Sequence, residues 1–155
     1  MPHRTRVQVI AADPISRAGA LGVLSLAHEL DVRAIDGPST SRWQPEVAVL
    51  ATERVDRTTL IRLRVTRRAG VPVVLVAADV DGFDVLAALE AGTTALVLRS
   101  EATTDRLAEV VRRAVAASDR GPATARVAQV RVPAQRSSTQ RRRLARALTR
   151  ASVLR

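Results

Sequence analysis

The sequence contains no cysteine, lysine, tyrosine or asparagine, and its only aromatic residues are Trp43 and Phe83. Without cysteine, the chain forms neither disulfides nor thiolate metal sites, and cysteine usage gives no sign of the redox compartment. No apolar run approaches the roughly 18 residues that a membrane-spanning helix needs. The N-terminus also lacks the apolar segment of a signal peptide, so we expect a cytoplasmic protein without membrane contact.

Acidic residues are absent from the last part of the chain. Residues 1–119 contain 15 arginines and 15 acidic residues, whereas residues 120–155 contain 10 arginines and no acid. This asymmetry accounts for the whole net charge of +10. We therefore predict a neutral folded domain over residues 1–118, a linker over 119–135 and a basic, helical tail over 136–155.

Short apolar runs alternate with helical patterns along the predicted domain. The runs that are typical of buried strands cover residues 7–11, 32–35, 46–51, 71–77 and 94–98. Helices are predicted from Asp13-Pro14 to about His28, from Asp56 to just before Gly70, and from Ala102 to Ala117. Another helix is predicted after Asp79-Val80-Asp81-Gly82, and Gly92 closes it. Residues 37–44 are rich in turn formers and indicate a loop or a shortened helix. This order predicts an α/β fold with a doubly wound, five-stranded parallel sheet.

The carboxyl end of the third predicted strand has no reactive group. In open α/β sheets, chemistry collects at the carboxyl ends of the strands. Ala51 ends the strand and can neither ionise, bind a metal nor accept a phosphoryl group. The two histidines, His3 and His28, have no nucleophile or paired carboxylate at a recognisable spacing. We therefore predict that the chain is not an enzyme and that it has no cofactor.

Several segments resemble the receiver domains of response regulators of the NarL/FixJ, LuxR-type group. Three of them are Asp13–Gly19, Pro45–Leu50 and Val73–Asp79. The strongest similarity lies in residues 86–99, Leu-Ala-Ala-Leu-Glu-Ala-Gly-Thr-Thr-Ala-Leu-Val-Leu-Arg, whose pattern is characteristic of that group. The resemblance covers residues 7–117 and implies the flavodoxin-like receiver fold.

The resemblance also implies a phosphorylation pocket, and this sequence lacks most of its groups. In such domains an acidic pair after the first strand holds magnesium, and an aspartate on the third strand accepts the phosphoryl group. A serine or threonine ends the fourth strand and a lysine ends the fifth. The corresponding positions here are Ala11, Ala12, Ala51, Ala77 and Arg99. The resemblance therefore implies a degenerate pocket, a pseudo-receiver that binds no metal and is not phosphorylated.

Two acidic residues near these positions leave a second register open. Asp13 follows the position of the acidic pair, and Glu53 lies two residues beyond Ala51. The simpler interpretation is that Asp13 caps a helix and that Glu53 is a solvated loop charge. A single acid without neighbouring carboxylates would bind magnesium poorly in either register.

The basic tail has competing interpretations. Regulators of the resembled group continue here into a helix-turn-helix domain. In this sequence Thr139–Ala151 shows only weak similarity to the first helix of that domain, and we expect no room for a recognition helix. Sequence-independent contacts to nucleic-acid phosphates are one interpretation, and the candidates for them are Arg141, Arg142, Arg143, Arg146 and Arg150. The other is a solvated remnant of a truncated or decayed regulator, because no aromatic residue lies among the arginines to stack on bases. A membrane-surface helix is a third option, disfavoured because its apolar face is mostly alanine.

The sequence therefore predicts a phosphorylation-independent pseudo-receiver in an atypical LuxR-type transcription regulator, acting through protein contacts. Receivers of this group commonly pair through the fourth helix, fifth strand and fifth helix, which implies a homodimer or a regulatory protein partner. The residues on that face, most of which we expect to serve the core, are Phe83, Val85, Leu86, Leu89, Leu107 and Val111. The alternative function is sequence-independent binding of nucleic acid by the tail, with the folded domain as a scaffold.

Overall fold

The computed structural model describes residues 2–36 and 42–120. Five strands form one parallel sheet in the order β2-β1-β3-β4-β5. The strands are β1 (Thr5–Ala11), β2 (Leu30–Ala34), β3 (Val47–Arg54), β4 (Val73–Asp79) and β5 (Ala95–Leu98). The helices are α1 (Pro14–Ser25), α2 (Arg57–Arg68), α3 (Gly82–Glu90) and α4 (Thr104–Asp119), with a 3-10 turn (Arg99–Glu101) before α4. The predicted five-stranded parallel α/β fold is confirmed.

The core has two layers, one on each face of the sheet. On one face, α1 and α4 cover the strands, and the fully buried residues there include Val7, Val9, Leu24, Val49, Leu107 and Val111. On the other face, α2 and α3 cover the strands, and the buried residues include Leu50, Leu63, Leu75, Val85 and Ala88. Since both faces of the central strands are covered, β3 is apolar from Val47 to Ala51 and β4 is apolar from Val73 to Ala78, as expected for a parallel sheet.

Aspartate caps begin three of the helices. Asp13, Asp56 and Asp81 each accept a hydrogen bond from a backbone N–H in the first turn of the helix that follows. The cap satisfies a donor that has no partner inside the helix. Gly70 and Gly92 follow α2 and α3 with φ angles of 82° and 97°, a conformation that glycine adopts without a steric penalty. The hydrogen bond from the Ser16 N–H to the Asp13 side chain confirms the interpretation of Asp13 as a helix cap.

Several element boundaries differ from the prediction. Strand β3 continues to Arg54 instead of ending at Ala51, because β4 runs on to Asp79 and pairs with it. Helix α1 ends at Ser25, before the predicted His28. Helix α4 begins at Thr104 because Thr103 caps it and the preceding residues form the 3-10 turn.

Helix α4 ends at Asp119, with Arg120 as its C-cap, one residue beyond the predicted domain boundary. The greater part of the predicted linker, the whole tail and the five candidate arginines lie outside the described residues. Among the residues that are described, no helix has the length and apolarity to cross a membrane.

Trp43 anchors the connection between β2 and β3. Its indole is buried, and its Nε1–H donates a hydrogen bond of 2.7 Å to Asp31 Oδ2 on β2. The Arg33 guanidinium lies 5.0 Å from the centre of the indole ring, within cation–π range. The hydrogen bond from Trp43 is the main cause that lowers the pKa of Asp31 below its usual value. The connection is therefore held to the edge strand by side-chain contacts.

Candidate functional site

The predicted pocket positions come together at the carboxyl edge of the sheet. Ala11 on β1 pairs with Ala51 on β3, and Ala77 on β4 pairs with Thr52. The side chains of Ala11, Ala51 and Ala77 are buried, with at most 3 % exposure, whereas Ala12 is exposed. The Ala12 N–H donates a hydrogen bond of 3.3 Å to the Ala51 carbonyl. Ala11 and Ala51 lie side by side on the face that α1 and α4 cover, and Ala77 packs on the face that α2 and α3 cover. We call these three buried alanines together the alanine floor.

Arg99 is the charged member of the predicted set, and it reaches across the sheet edge. It follows β5 directly, and its Nη1 donates a hydrogen bond of 2.8 Å to Glu53 Oε2 at the end of β3. Its Nη2 donates to the Thr52 carbonyl at 3.2 Å and to Ser16 Oγ at 2.9 Å. A planar guanidinium has several donors in fixed directions, so one side chain bridges β5, β3 and α1.

Asp13 and Ser16 extend this hydrogen-bonded chain into α1. The Ser16 backbone N–H donates to Asp13 Oδ1 at 2.8 Å, and the Ser16 hydroxyl donates to Asp13 Oδ2 at 2.7 Å. These bonds stabilise the carboxylate, so the pKa of Asp13 lies below its usual value, and the charge of Arg99 adds to the effect. Both oxygens of Asp13 are thus engaged in holding the first turn of α1.

Glu53 is not a loop residue, contrary to the prediction, because β3 extends past it to Arg54. Its side chain is exposed, as predicted, but it is paired with Arg99. A magnesium ion requires several oxygen ligands at one point. The alanine floor offers none, and the two nearby carboxylates are bonded to Ser16 and Arg99. The residues present at this edge do not fit the metal that the resemblance implies, and the described residues contain no convergent group of three acidic or histidine side chains elsewhere.

Two side chains at this edge were not found from the sequence. Ser16 lies three residues after the cap Asp13, a spacing that indicates a capping contact but gives no sign of a bond to Arg99. Arg62 on α2 donates a hydrogen bond of 3.0 Å from Nη1 to the Ala11 carbonyl at the end of β1. No local pattern distinguishes Arg62 from the other arginines of its helix. Both residues add a bond between a helix and a strand end.

The face implied by the resemblance, α3, β5 and α4 in this structure, contributes mainly to the core. Val85, Leu107 and Val111 are buried, and Leu86 and Leu89 are half-buried. Phe83, by contrast, is 57 % exposed. The expectation that most of this set serves the core is confirmed, and Phe83 remains available on the surface.

No family model matches this chain, and no curated protein matches it. Several solved structures, in contrast, are similar to this chain. The signal receiver domain of NarL from Mycobacterium tuberculosis is 22% identical, with a TM-score of 0.55 over 72% of this chain and 98% of that chain. A pilus assembly-related protein from Burkholderia pseudomallei is 18% identical, with a TM-score of 0.60 over 75% of this chain and 92% of its own.

The response regulator ChrA, from a heme-sensing two-component system, is also similar in structure. It is 26% identical, with a TM-score of 0.50 over 96% of this chain and 76% of that chain. Receiver domains recur among the similar structures, including a CheY-like domain from Methanospirillum hungatei. The strand order, the two helical layers and these similarities together show that the chain has the fold of a response-regulator receiver domain.

Proposed function

We propose that this chain is a signalling protein whose receiver-like domain is not phosphorylated and acts through protein contacts. The observation that carries the proposal is that alanine stands at three of the predicted pocket positions, Ala11, Ala51 and Ala77, while Arg99 is paired with Glu53. We further propose that it belongs to an atypical regulator of the LuxR type, in which the domain joins a second copy or a regulatory protein.

Phosphoryl transfer to a protein side chain requires an acceptor and a stabilising positive charge. Ala11, Ala51 and Ala77 supply neither a nucleophilic oxygen nor a metal ligand. The Arg99 guanidinium is already occupied by the Glu53 carboxylate and the Thr52 carbonyl. The exposed Glu53 carboxylate would also repel an incoming phosphate. These features support a pocket without phosphoryl chemistry.

The bonds at this edge are complete without a ligand. Arg99, Ser16 and Asp13 satisfy one another's hydrogen-bonding groups and join the ends of β5, β3 and α1. A ligand shifts an equilibrium only when it binds one state better than another. Since Arg99, Ser16 and Asp13 already bond one another, we propose that signal input reaches this domain through a protein bound to its helical surface.

The proposal is tested by phosphate transfer from a small acyl phosphate in the presence of magnesium, measured by the intact mass of the full chain. We expect no added phosphoryl mass. Asp13→Ala and Glu53→Ala are measured alongside, because these are the carboxylates nearest to the alanine floor. An adduct in the wild type that disappears in either variant would contradict the proposal and assign the acceptor.

Removing residues 120–155 separates the proposed function from nucleic-acid binding by the tail. If the folded domain is the functional part, self-association or partner binding persists in the shortened chain. Loss of all binding on removal of the arginine-rich segment would instead support the tail. Binding that falls steeply with salt concentration is the signature of phosphate contacts.

A further inference from the structure

Charge is segregated between two neighbouring helices. Helix α2 carries five arginines and no acidic residue, namely Arg57, Arg62, Arg64, Arg67 and Arg68. The stretch from Gly70 to Leu98, which includes α3, carries four acidic residues and no basic one. Asp79 ends β4, Asp81 and Asp84 form the capping box of α3, and Glu90 is the last residue of that helix. Both helices lie on the same face of the sheet and contact each other.

The arginines of α2 are not explained by contacts inside the domain. Among the residues that the structure describes, none of the five forms a salt bridge; Arg62 instead bonds the Ala11 carbonyl. Arg57 lies in the first turn of the helix, where the macrodipole disfavours a cation. Arg64 and Arg68 are four residues apart and repel each other. Of the five arginines, only Arg67 and Arg68 in the last turn stabilise the helix through its dipole. The positive charge of α2 is therefore better explained by an external partner.

Exposed apolar side chains accompany both charged helices. Ile61 and Val65, one turn apart on α2, are 48 % and 59 % exposed. Phe83 on α3 is similarly exposed, and the same helix ends at the exposed Glu90. The Arg67 side chain packs against Gly92, with Cγ 3.1 Å from the point where a Cβ would stand, so the two helices run side by side. We call their outward surfaces together the α2–α3 face.

We propose that the α2–α3 face binds the same face of a second copy of this chain, with α2 of each copy packed on α3 of the other. This inference rests on the proposed function in that the domain acts through protein contacts. A two-fold interface must be self-complementary. The α2–α3 face meets that condition, because a half-turn about an axis between the helices brings the basic helix onto the acidic one. Ile61, Val65 and Phe83 would form its apolar centre.

A second copy fits this face better than a polyanion does. Nucleic acid or an anionic membrane laid along α2 would meet the acidic residues of α3 and its cap, Asp81, Asp84 and Glu90. A uniformly acidic protein would meet the same repulsion. The α2–α3 face shares helix α3 with the α3–β5–α4 face implied by the resemblance and differs from it in using α2 in place of β5 and α4. The alternation of charge therefore favours self-association.

The test is sedimentation equilibrium of the nuclease-treated full chain at low and high salt. We expect a dimer that weakens with salt. The paired reversal Arg64→Glu with Arg68→Glu should raise the dissociation constant at least about tenfold, because like charges across an interface cost several kcal/mol. Glu90→Arg should have the same effect.

An equimolar mixture of the two variants should restore a dimer. Arg112→Glu, an exposed reversal on α4 across the sheet, is the matched control and should leave the dimer unchanged.

A chain that is monomeric at every concentration would overturn the inference. So would a dimer that survives either reversal, or a mixture that fails to associate although circular dichroism shows both variants folded. Loss of oligonucleotide or anionic-vesicle binding in the α2 variant of a monomeric chain would assign the face to a polyanion instead. A phosphoryl adduct, in contrast, bears on the proposed function and leaves the sedimentation result intact.

Discussion

Arg99 and Glu53 are 46 residues apart in the sequence, yet their side chains meet at 2.8 Å. The contact passes over β4, which lies between their strands in the sheet. Arg99 also bonds Ser16 on α1, so one guanidinium joins three elements whose ends define the site. This bridge is the most specific feature of the carboxyl edge.

The ion pair between Arg99 and Glu53 should contribute measurably but modestly to stability. Both side chains are substantially exposed, at 40 % and 68 %, and exposed pairs contribute about 0.5 kcal/mol. A double-mutant cycle of Arg99→Ala and Glu53→Ala, measured by urea unfolding, should give a coupling free energy of that size. The coupling should diminish in about 1 M salt, where screening is strong.

The control for this cycle pairs Arg99→Ala with Asp36→Ala. Asp36 bonds Arg17 and has no contact with Arg99, so the two effects should add. A coupling of zero between Arg99 and Glu53 at low salt would contradict the role assigned to the bridge.

The cap of α2 should contribute more than its exposed position suggests. Asp56 accepts hydrogen bonds from the Thr59 backbone N–H at 2.7 Å and from the Thr59 hydroxyl at 2.8 Å. Asp56→Ala should lower the free energy of unfolding by about 1 kcal/mol. Asp56→Asn, which keeps an accepting oxygen, should restore most of the loss in the same urea measurement. Equal losses in the two variants would contradict the capping account.

The same residue gives stability a defined dependence on pH. The backbone hydrogen bond from Thr59 is the main cause that lowers the pKa of Asp56 below its usual 3.8. The stabilisation that the Asp56 carboxylate gives the fold is therefore complete above pH 3.8. It is lost as the pH falls through the lower pKa that Asp56 has in the folded state. The difference between wild type and Asp56→Ala should stay constant near pH 7 and shrink below pH 3.8. If that difference instead grew on acidification, the predicted direction of the pH dependence would be wrong.

Truncation to alanine should destabilise the fold strongly at one position on α2 and hardly at all two residues away. Leu63 is completely buried, so Leu63→Ala leaves a cavity and should cost about 2–5 kcal/mol of unfolding free energy. Ile61 is half-exposed in a single copy, so Ile61→Ala should change the stability of the monomer, measured at a concentration too low for self-association, by about 0.5 kcal/mol or less. Chemical denaturation followed by circular dichroism measures both. Comparable losses would show that Ile61 is buried in the folded chain.

The fold was readable from the sequence because its signals are local. Val47–Leu50 is apolar throughout, which a strand covered on both faces requires, and Asp13 before Pro14 marks a helix start. The end of β3 was not readable in this way. Thr52 and Glu53 are polar, and they remain in the strand because β4 runs alongside to Asp79, a pairing that no local pattern reports.

The candidate site was predictable in position but not in its bonds. The resemblance placed Ala11, Ala51 and Ala77 at one edge, where the strand register brings them together. The bridge from Arg99 to Glu53 depends on the strand order and on side-chain reach across a strand. Trp43 was likewise noticed in the sequence, but its hydrogen bond to Asp31 on β2 is a tertiary contact that no local pattern reports.

The alanine floor has a thermodynamic consequence of its own. Carboxylates gathered at a strand edge repel one another and lose hydration, so an acidic metal pocket lowers the stability of a fold until its cation is bound. Methyl groups at Ala11, Ala51 and Ala77 carry no such conflict between activity and stability. We therefore expect the free energy of folding to be the same in the presence and absence of magnesium.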